Sequence, residues 1–294
     1  MHWCTFLLAL AVPALSLPVA PSQAAPAPNR ALWLWESDII KDSASVSSFL
    51  STVTDNDIKT VHALIDRDMG NAVWESFITK CNASGITVEA LMGDAQWING
   101  QTTDDGPTLQ HQLNWIAQYQ ASVSCNAKFS GIHMDVEPWG LDDWASNKEA
   151  HIDSLIEIAD TVGAFAKPLD LPVAADLPFW AHTVPCQDAT LDTCLLPHLD
   201  SVTFMTYRNT PEELLAIAMP LLKTVHDADP EKAVWFAVET DSKCAEAELI
   251  SYAGKSAATL IGDLATVEKD AVKASNNFAG IAIHSYSDFV AMGA

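Results

Sequence analysis

Eight short apolar runs recur along this chain, and segments of helical period separate most of them. The runs are Ala31–Trp35, Thr60–Ile65, Thr87–Met92, Gly131–Val136, Leu171–Ala175, Ser201–Thr206, Ala233–Val238 and Gly280–His284. Helical spacing marks Ser47–Val53, Ala72–Cys81, Leu109–Ala121, Glu149–Phe165, Pro211–Val225 and Ser256–Ala274. Near-continuous apolar strands alternating with helices imply a parallel sheet covered on both faces. Eight such units predict an α/β fold closed into a single (β/α)8 TIM barrel rather than an open sheet. Thr210-Pro211-Glu212-Glu213 is a helix start, with a capping hydroxyl, proline at the first helical position and glutamate at the third.

Residues 1–24 read as a signal peptide. The apolar run Phe6 to Ala20 is followed by small residues around Ser22-Gln23-Ala24. It is short and broken by Pro13 and Pro18, which argues against a membrane span. Residues 25–30 read as a Pro/Ala-rich leader, and 31–294 as the barrel, a size that suits one domain of this class. The expected protein is therefore secreted, extracellular and monomeric. No Asp, Glu, Lys or Arg lies in residues 1–24, so the formal charge of −23 belongs to the rest. That charge argues against nucleic acid and anionic membrane as partners. It serves solubility outside the cell, and a negative cleft would also draw a cationic amino-sugar polymer.

Secretion favours disulfides. Cys186 and Cys194 lie in one loop and are expected to pair. Cys81 and Cys125 each end a predicted helix and could meet on the barrel's bottom face. Cys244 is the odd one, either free or replacing one partner in the Cys186/Cys194 loop. There is no Cys-x-x-Cys pair to support a thiolate zinc site, and no cofactor is called for. Asn82-Ala83-Ser84 is the one N-glycosylation sequon and is expected on a surface helix end.

Barrels of this class build their sites at the carboxyl ends of the strands. In order, those ends offer Trp35 and Glu36; Asp66; Asp94 with Trp97; Asp135, Glu137 and Trp139; Asp176 and Trp180; Tyr207 and Arg208; Glu239; and His284 with Tyr286. In Gly131-Ile132-His133-Met134-Asp135-Val136-Glu137-Pro138-Trp139, alternation puts His133, Asp135 and Glu137 on one face. Glycoside hydrolysis needs a proton donor for the leaving oxygen and a second group to stabilise the sugar cation. Glu137 is the donor candidate, Asp135 or Glu239 the second group, and Tyr207 a hydrogen-bond partner. Glu239 has a structural alternative, an ion pair with Arg208. Indole faces stack on sugars, which makes Trp35, Trp97, Trp139 and Trp180 candidate platforms. Glu36, Asp66, Asp94, Asp176, Arg208, His284 and Tyr286 complete the candidate substrate-binding rim.

Ser130-Gly131-Ile132-His133-Met134-Asp135-Val136-Glu137 resembles the fourth-strand signature of the chitinase and endo-β-N-acetylglucosaminidase superfamily, Asp-Gly-x-Asp-x-Asp-x-Glu. The last Asp and the Glu fall on Asp135 and Glu137, while Ser130 and His133 replace the first two acids. Met205-Thr206-Tyr207-Arg208 similarly resembles that family's Met-x-Tyr-Asp, with Arg208 in place of the acid. The resemblance implies a divergent TIM-barrel glycoside hydrolase acting on an amino-sugar-containing glycan. Asp135 as second group would suit substrate assistance and Glu239 two-step retention, and an inverting pair stays open. The glutamates of strands four and seven also resemble the pair of the large retaining glycosidase clan, with Val136 where that clan has Asn. Two alternatives remain at this level. One is a barrel that binds glycans without cleaving them. The other is a metal-dependent hydrolase using His133, Asp135, Glu137 and Asp66, although no His-x-His or His-Glu-x-x-His is present.

Overall fold

A computed structural model describes residues 29–293 of the protein, so the expected signal peptide lies outside the described residues. Eight parallel strands close into a barrel. They are β1 (Asn29–Leu34), β2 (Ile58–Leu64), β3 (Thr87–Met92), β4 (Ile132–Met134), β5 (Val173–Pro178), β6 (Ser201–Met205), β7 (Ala233–Glu239) and β8 (Phe278–His284). The ring closes through β1 against β8, with Ala31 opposite Ala282. The long helices are α1 (Ser43–Asp55), α2 (Asn71–Ala83), α3 (Leu109–Ser122), α4 (Trp144–Ala166), α5 (Pro211–Ala228) and α6 (Ala257–Ala274). Among the described residues, no helix is long and apolar enough to cross a membrane.

The expected fold is the observed one, with small differences at its ends. β1 starts at Asn29, so Asn29 and Arg30 belong to the barrel rather than to a leader ending at residue 30. Arg30 is held in place by a two-pronged pair with Glu268 of α6, at 2.7 and 3.0 Å. Thr210 caps α5 as its sequence requires, accepting from the Glu213 amide and donating to the Glu213 carboxylate.

Alternation along the strands makes two cores. Outward residues such as Ile132, Met134 and Val136 pack under the helices in the main apolar cluster. Inward residues Ala31, Trp33, Leu91, Ala237 and Ala282 form a smaller one inside the barrel. Trp74 and Trp115 pack together outside the strands, as expected of helix residues.

Cys186 and Cys194 form a disulfide. It sits in the β5–β6 connection, beside a small hairpin pairing Pro185–Cys186 with Ala189–Thr190. The expected meeting of Cys81 and Cys125 does not occur as a bond. Cys81 is buried, Cys125 is exposed, and both are free thiols, as is Cys244.

Candidate active site

The site is built where β4 gives out. Ladder pairing ends at Met134, but the Asp135 amide still donates to Met92 O of β3 at 2.9 Å. That contact holds the extended phase for one more step, so His133, Asp135 and Glu137 keep one face. β3 must come very close to allow it. A side chain at Gly93 would place its first carbon 1.8 Å from the Asp135 carbonyl oxygen, so only glycine fits. Glu137 then starts a short turn over Pro138–Gly140. That turn brings Trp139 back over the acid, and its indole N–H donates to Glu137 Oε2 at 2.9 Å.

Asp135 is enclosed beside this pair, and its Oδ1 has no hydrogen-bond partner. Burial, then the charges of Asp176 and Glu137 and a hydrogen bond shared with Glu137, push the Asp135 carboxyl well above the usual range. It therefore favours its protonated form and can hold a proton next to Glu137. Tyr207 faces the same space from the end of β6. Its hydroxyl is pushed up by burial and then by Glu239, Asp176, Asp135 and Glu137, so it stays a neutral donor. Tyr207 thus stands among four acids supplied by three strands, β4, β5 and β7.

Glu239, at the end of β7, is buried and fully engaged. Its Oε1 accepts the Thr240 and Asp241 amides at 2.7 and 2.8 Å. Both carboxylate oxygens lie 3.1 Å from His284 Nδ1. His284 Nε2 in turn accepts the Trp35 indole N–H at 2.8 Å. Glu239, His284 and Trp35 form one chain across β7, β8 and β1. Glu239 therefore does not pair with Arg208, contrary to its structural alternative. Arg208 instead donates to Tyr207 O at 2.6 Å and lies over the Phe179 ring.

The remaining rim candidates divide. Trp139 and Trp180 meet edge to face at 5.9 Å, making an aromatic corner beside Glu137. Asp176 belongs to the site but points down, onto His133. Trp97 is buried, with its N–H on Pro107 O, and is no platform. Asp94 organises its own loop through Gln96 and Thr103. Asp66 accepts from the Asp68 amide and sits 4.0 Å from Lys41, apart from the acid cluster. Glu36 is exposed and accepts from Ser287. Tyr286 packs on Phe49 of α1, outside the barrel, and lines no subsite.

Sequence reasoning missed a layer beneath the mouth. His62 of β2, Glu89 of β3 and His133 of β4 meet inside the barrel. His62 Nδ1 is 2.9 Å from Glu89 Oε2, and His133 Nδ1 is 3.4 Å from the same oxygen. His133 Nε2 is 2.8 Å from Asp176 Oδ1. One atom from each of His62, Glu89 and His133 falls within 4.8 Å of the others. The two imidazoles stack with centroids 3.8 Å apart and planes 33° apart. Both Nδ1 atoms lie against the same carboxylate oxygen, so His62, Glu89 and His133 form one polar cluster inside the barrel. The missed signal was alternation: His62 and Glu89 sit in phase with the inward face of their strands, inside runs otherwise read as core.

No protein-family model matches the chain, and no curated protein matches it. Solved structures do share its fold. A chitinase from Chromobacterium violaceum aligns with a TM-score of 0.54 at 10% identity, over 90% of this chain and 98% of its own. The glycoside hydrolase domain of PgaB from Bordetella bronchiseptica aligns at 0.52 and 12% identity, over 91% and 96%. A β-1,3-glucanosyltransferase from Rhizomucor miehei aligns at 0.53 and 12% identity, over 87% and 86%. At these identities the likeness is one of fold, and any activity must be argued from the site.

Proposed function

We propose that this chain is a secreted glycoside hydrolase that cleaves an amino-sugar-containing glycan, with Glu137 as general acid and base. The observation that carries the reading is the Asp135–Glu137 pair, enclosed at the end of β4 under Trp139 and facing Tyr207. Cleaving a glycosidic bond transfers one proton to the leaving oxygen as its bond to the anomeric carbon breaks. Glu137 supplies that proton. The Trp139 N–H fixes one of its oxygens and leaves the other for the substrate. Asp135 keeps its own proton and donates it in a hydrogen bond to the Glu137 carboxylate that forms as the glycosidic oxygen leaves. A water then adds to the anomeric carbon, giving its proton back to Glu137.

Asp135, rather than Glu239, is the second group in this reading. Glu239 is saturated by two amides and His284, which fits an anchor for His284 and Trp35 better than a free nucleophile. The acid-rich mouth and the charge of −23 support a substrate carrying amino groups. Trp139 and Trp180 offer the apolar faces a sugar ring needs.

The test is product release from chitin, chitosan, galactosamine polymers and neutral glucans, read by mass spectrometry with and without chelator. The wild type is expected to release products regardless of chelator. Glu137→Gln keeps the shape and loses the proton, so turnover should fall about 10²–10⁴-fold. Near-normal turnover of that variant would remove Glu137 from the role. Binding without product, unchanged in Glu137→Gln, would instead make the barrel a glycan-binding protein.

A further inference from the structure

His133 stands where the resembled signature carries an acid, and its surroundings are as unusual as its identity. It is 1% exposed and lies in the middle of the barrel. Asp176 reaches it from β5, Glu89 from β3, and His62 stacks on its face from β2. Trp33 of β1 meets it edge-on at 5.9 Å. Asp135 is two residues further along its own strand, on the same side.

The His133 ring is flanked by two carboxylates. Its Nε2 is hydrogen-bonded to Asp176 Oδ1 at 2.8 Å, and its Nδ1 lies 3.4 Å from Glu89 Oε2, at ion-pair distance but without a hydrogen bond. Two acids this close to one buried ring favour its charged form over the neutral one. His62 has only one acid beside it: its Nδ1 is hydrogen-bonded to Glu89 while its Nε2 has no polar partner. The stack is thus a cationic ring on a neutral one, with Glu89 serving both.

We propose that His133 is a positioning residue: an imidazolium clamped between Asp176 and Glu89 that fixes Asp176 and sets the charge state of Asp135 beneath Glu137. The proposal rests on the catalytic reading of Asp135 and Glu137 given above. Burial opposes the charge on His133, but Asp176 and Glu89 outweigh it and carry its pKa up to about 10. Glu89 is held well below the usual carboxylate range by His133 and His62, against its burial. The His62 pKa is pushed down by burial and by the neighbouring cation. Asp135 answers to four groups: Asp176 and Glu137 raise it, Tyr207 shares its space, and His133 alone draws it down. Without that one cation, Asp135 and Asp176 would face each other with no offsetting charge. The Glu89 side chain is 21% exposed, so the cluster meets solvent there.

Two measurements on the intact protein test this. The first is the ring nitrogen chemical shifts of His133 by NMR between pH 5 and 8, in wild type and Glu89→Gln. Two protonated nitrogens throughout in wild type are expected. A neutral ring near pH 7, or both rings shifting on stoichiometric zinc addition, overturns the proposal whatever the enzyme's activity. The second is the pH profile of kcat/KM on whichever glycan is cleaved, in wild type and His133→Asn. Removing the cation is expected to move the bell to higher pH by about one unit, one unit being 1.36 kcal/mol of interaction, with KM within about twofold. An unmoved bell with only a lowered melting temperature would make His133 structural and sink the proposal. If the wild type cleaves nothing, the catalytic reading fails while the NMR result still decides the state of His133. If His133→Asn does not fold, Glu89→Gln carries the same pH comparison.

Discussion

In the proposed function, Glu239 is a carboxylate that serves position rather than reaction. A buried acid with two amide donors and a histidine is tied at both oxygens, and each tie restricts the others. Glu239→Gln keeps the volume but replaces one accepting oxygen with an N–H that faces donors. We expect a loss of about 1–3 kcal/mol of stability, the usual cost of mismatching a buried hydrogen-bonding group. Turnover should also fall, through a displaced His284 and Trp35, with the pH optimum left in place. Thermal melting and kinetics of the variant check this. A collapse of activity at full stability, with a shifted pH profile, would return Glu239 to the role of second catalytic group.

At the level of elements, the close approach of β3 to β4 decides whether the pair can exist. Gly93 is the contact point, and Gly93→Ala places a methyl group on the Asp135 carbonyl. Either β3 or the end of β4 must move, at a cost of about 1–3 kcal/mol for overpacking of this kind. We expect a lowered melting temperature together with lost turnover, because the displaced atom belongs to Asp135. Unchanged turnover would mean the Asp135–Glu137 geometry tolerates movement that the mechanism above forbids. Elements are also the scale at which the sequence was most legible. The period of the strands and helices gave the barrel, and alternation gave the shared face of His133, Asp135 and Glu137. Strand-end reading over-collected, since Asp66, Asp94, Trp97 and Tyr286 end strands or follow them closely but serve loops and packing. A loop's direction depends on its own hydrogen bonds, which alternation does not describe. Glu89 and His62 were passed over for the opposite reason. They lie mid-strand, and it is the register of the neighbouring strands β2, β3 and β4 that brings them against His133.

Across the whole molecule, the buried histidine layer makes stability depend on pH with a definite sign. His133 keeps its proton in the folded state up to about pH 10, whereas a free imidazole loses it near 6.5. Between those values the unfolded chain binds fewer protons, so unfolding gains on folding as pH rises. The contribution of His133 is complete below about 6.5 and is lost as pH climbs to about 10. Asp135, raised as well, adds stability in the same direction, present in acid and lost as pH rises through its folded value. Glu89 acts oppositely: its folded pKa is depressed, so its contribution is present above its ordinary 4.5 and lost as pH falls below that. The melting temperature should therefore peak at mildly acidic pH and decline towards alkali. General repulsion does not explain such a decline, because the surface carboxylates behind the charge of −23 are already ionised throughout that range. His133→Asn isolates the cause, since it removes the buried imidazole that Asp176 and Glu89 flank. Its alkaline slope should be visibly flatter than that of the wild type. A wild-type melting temperature that stays level from pH 6.5 to 10, or an equal slope in the variant, would show that the clamp on His133 does not hold its proton.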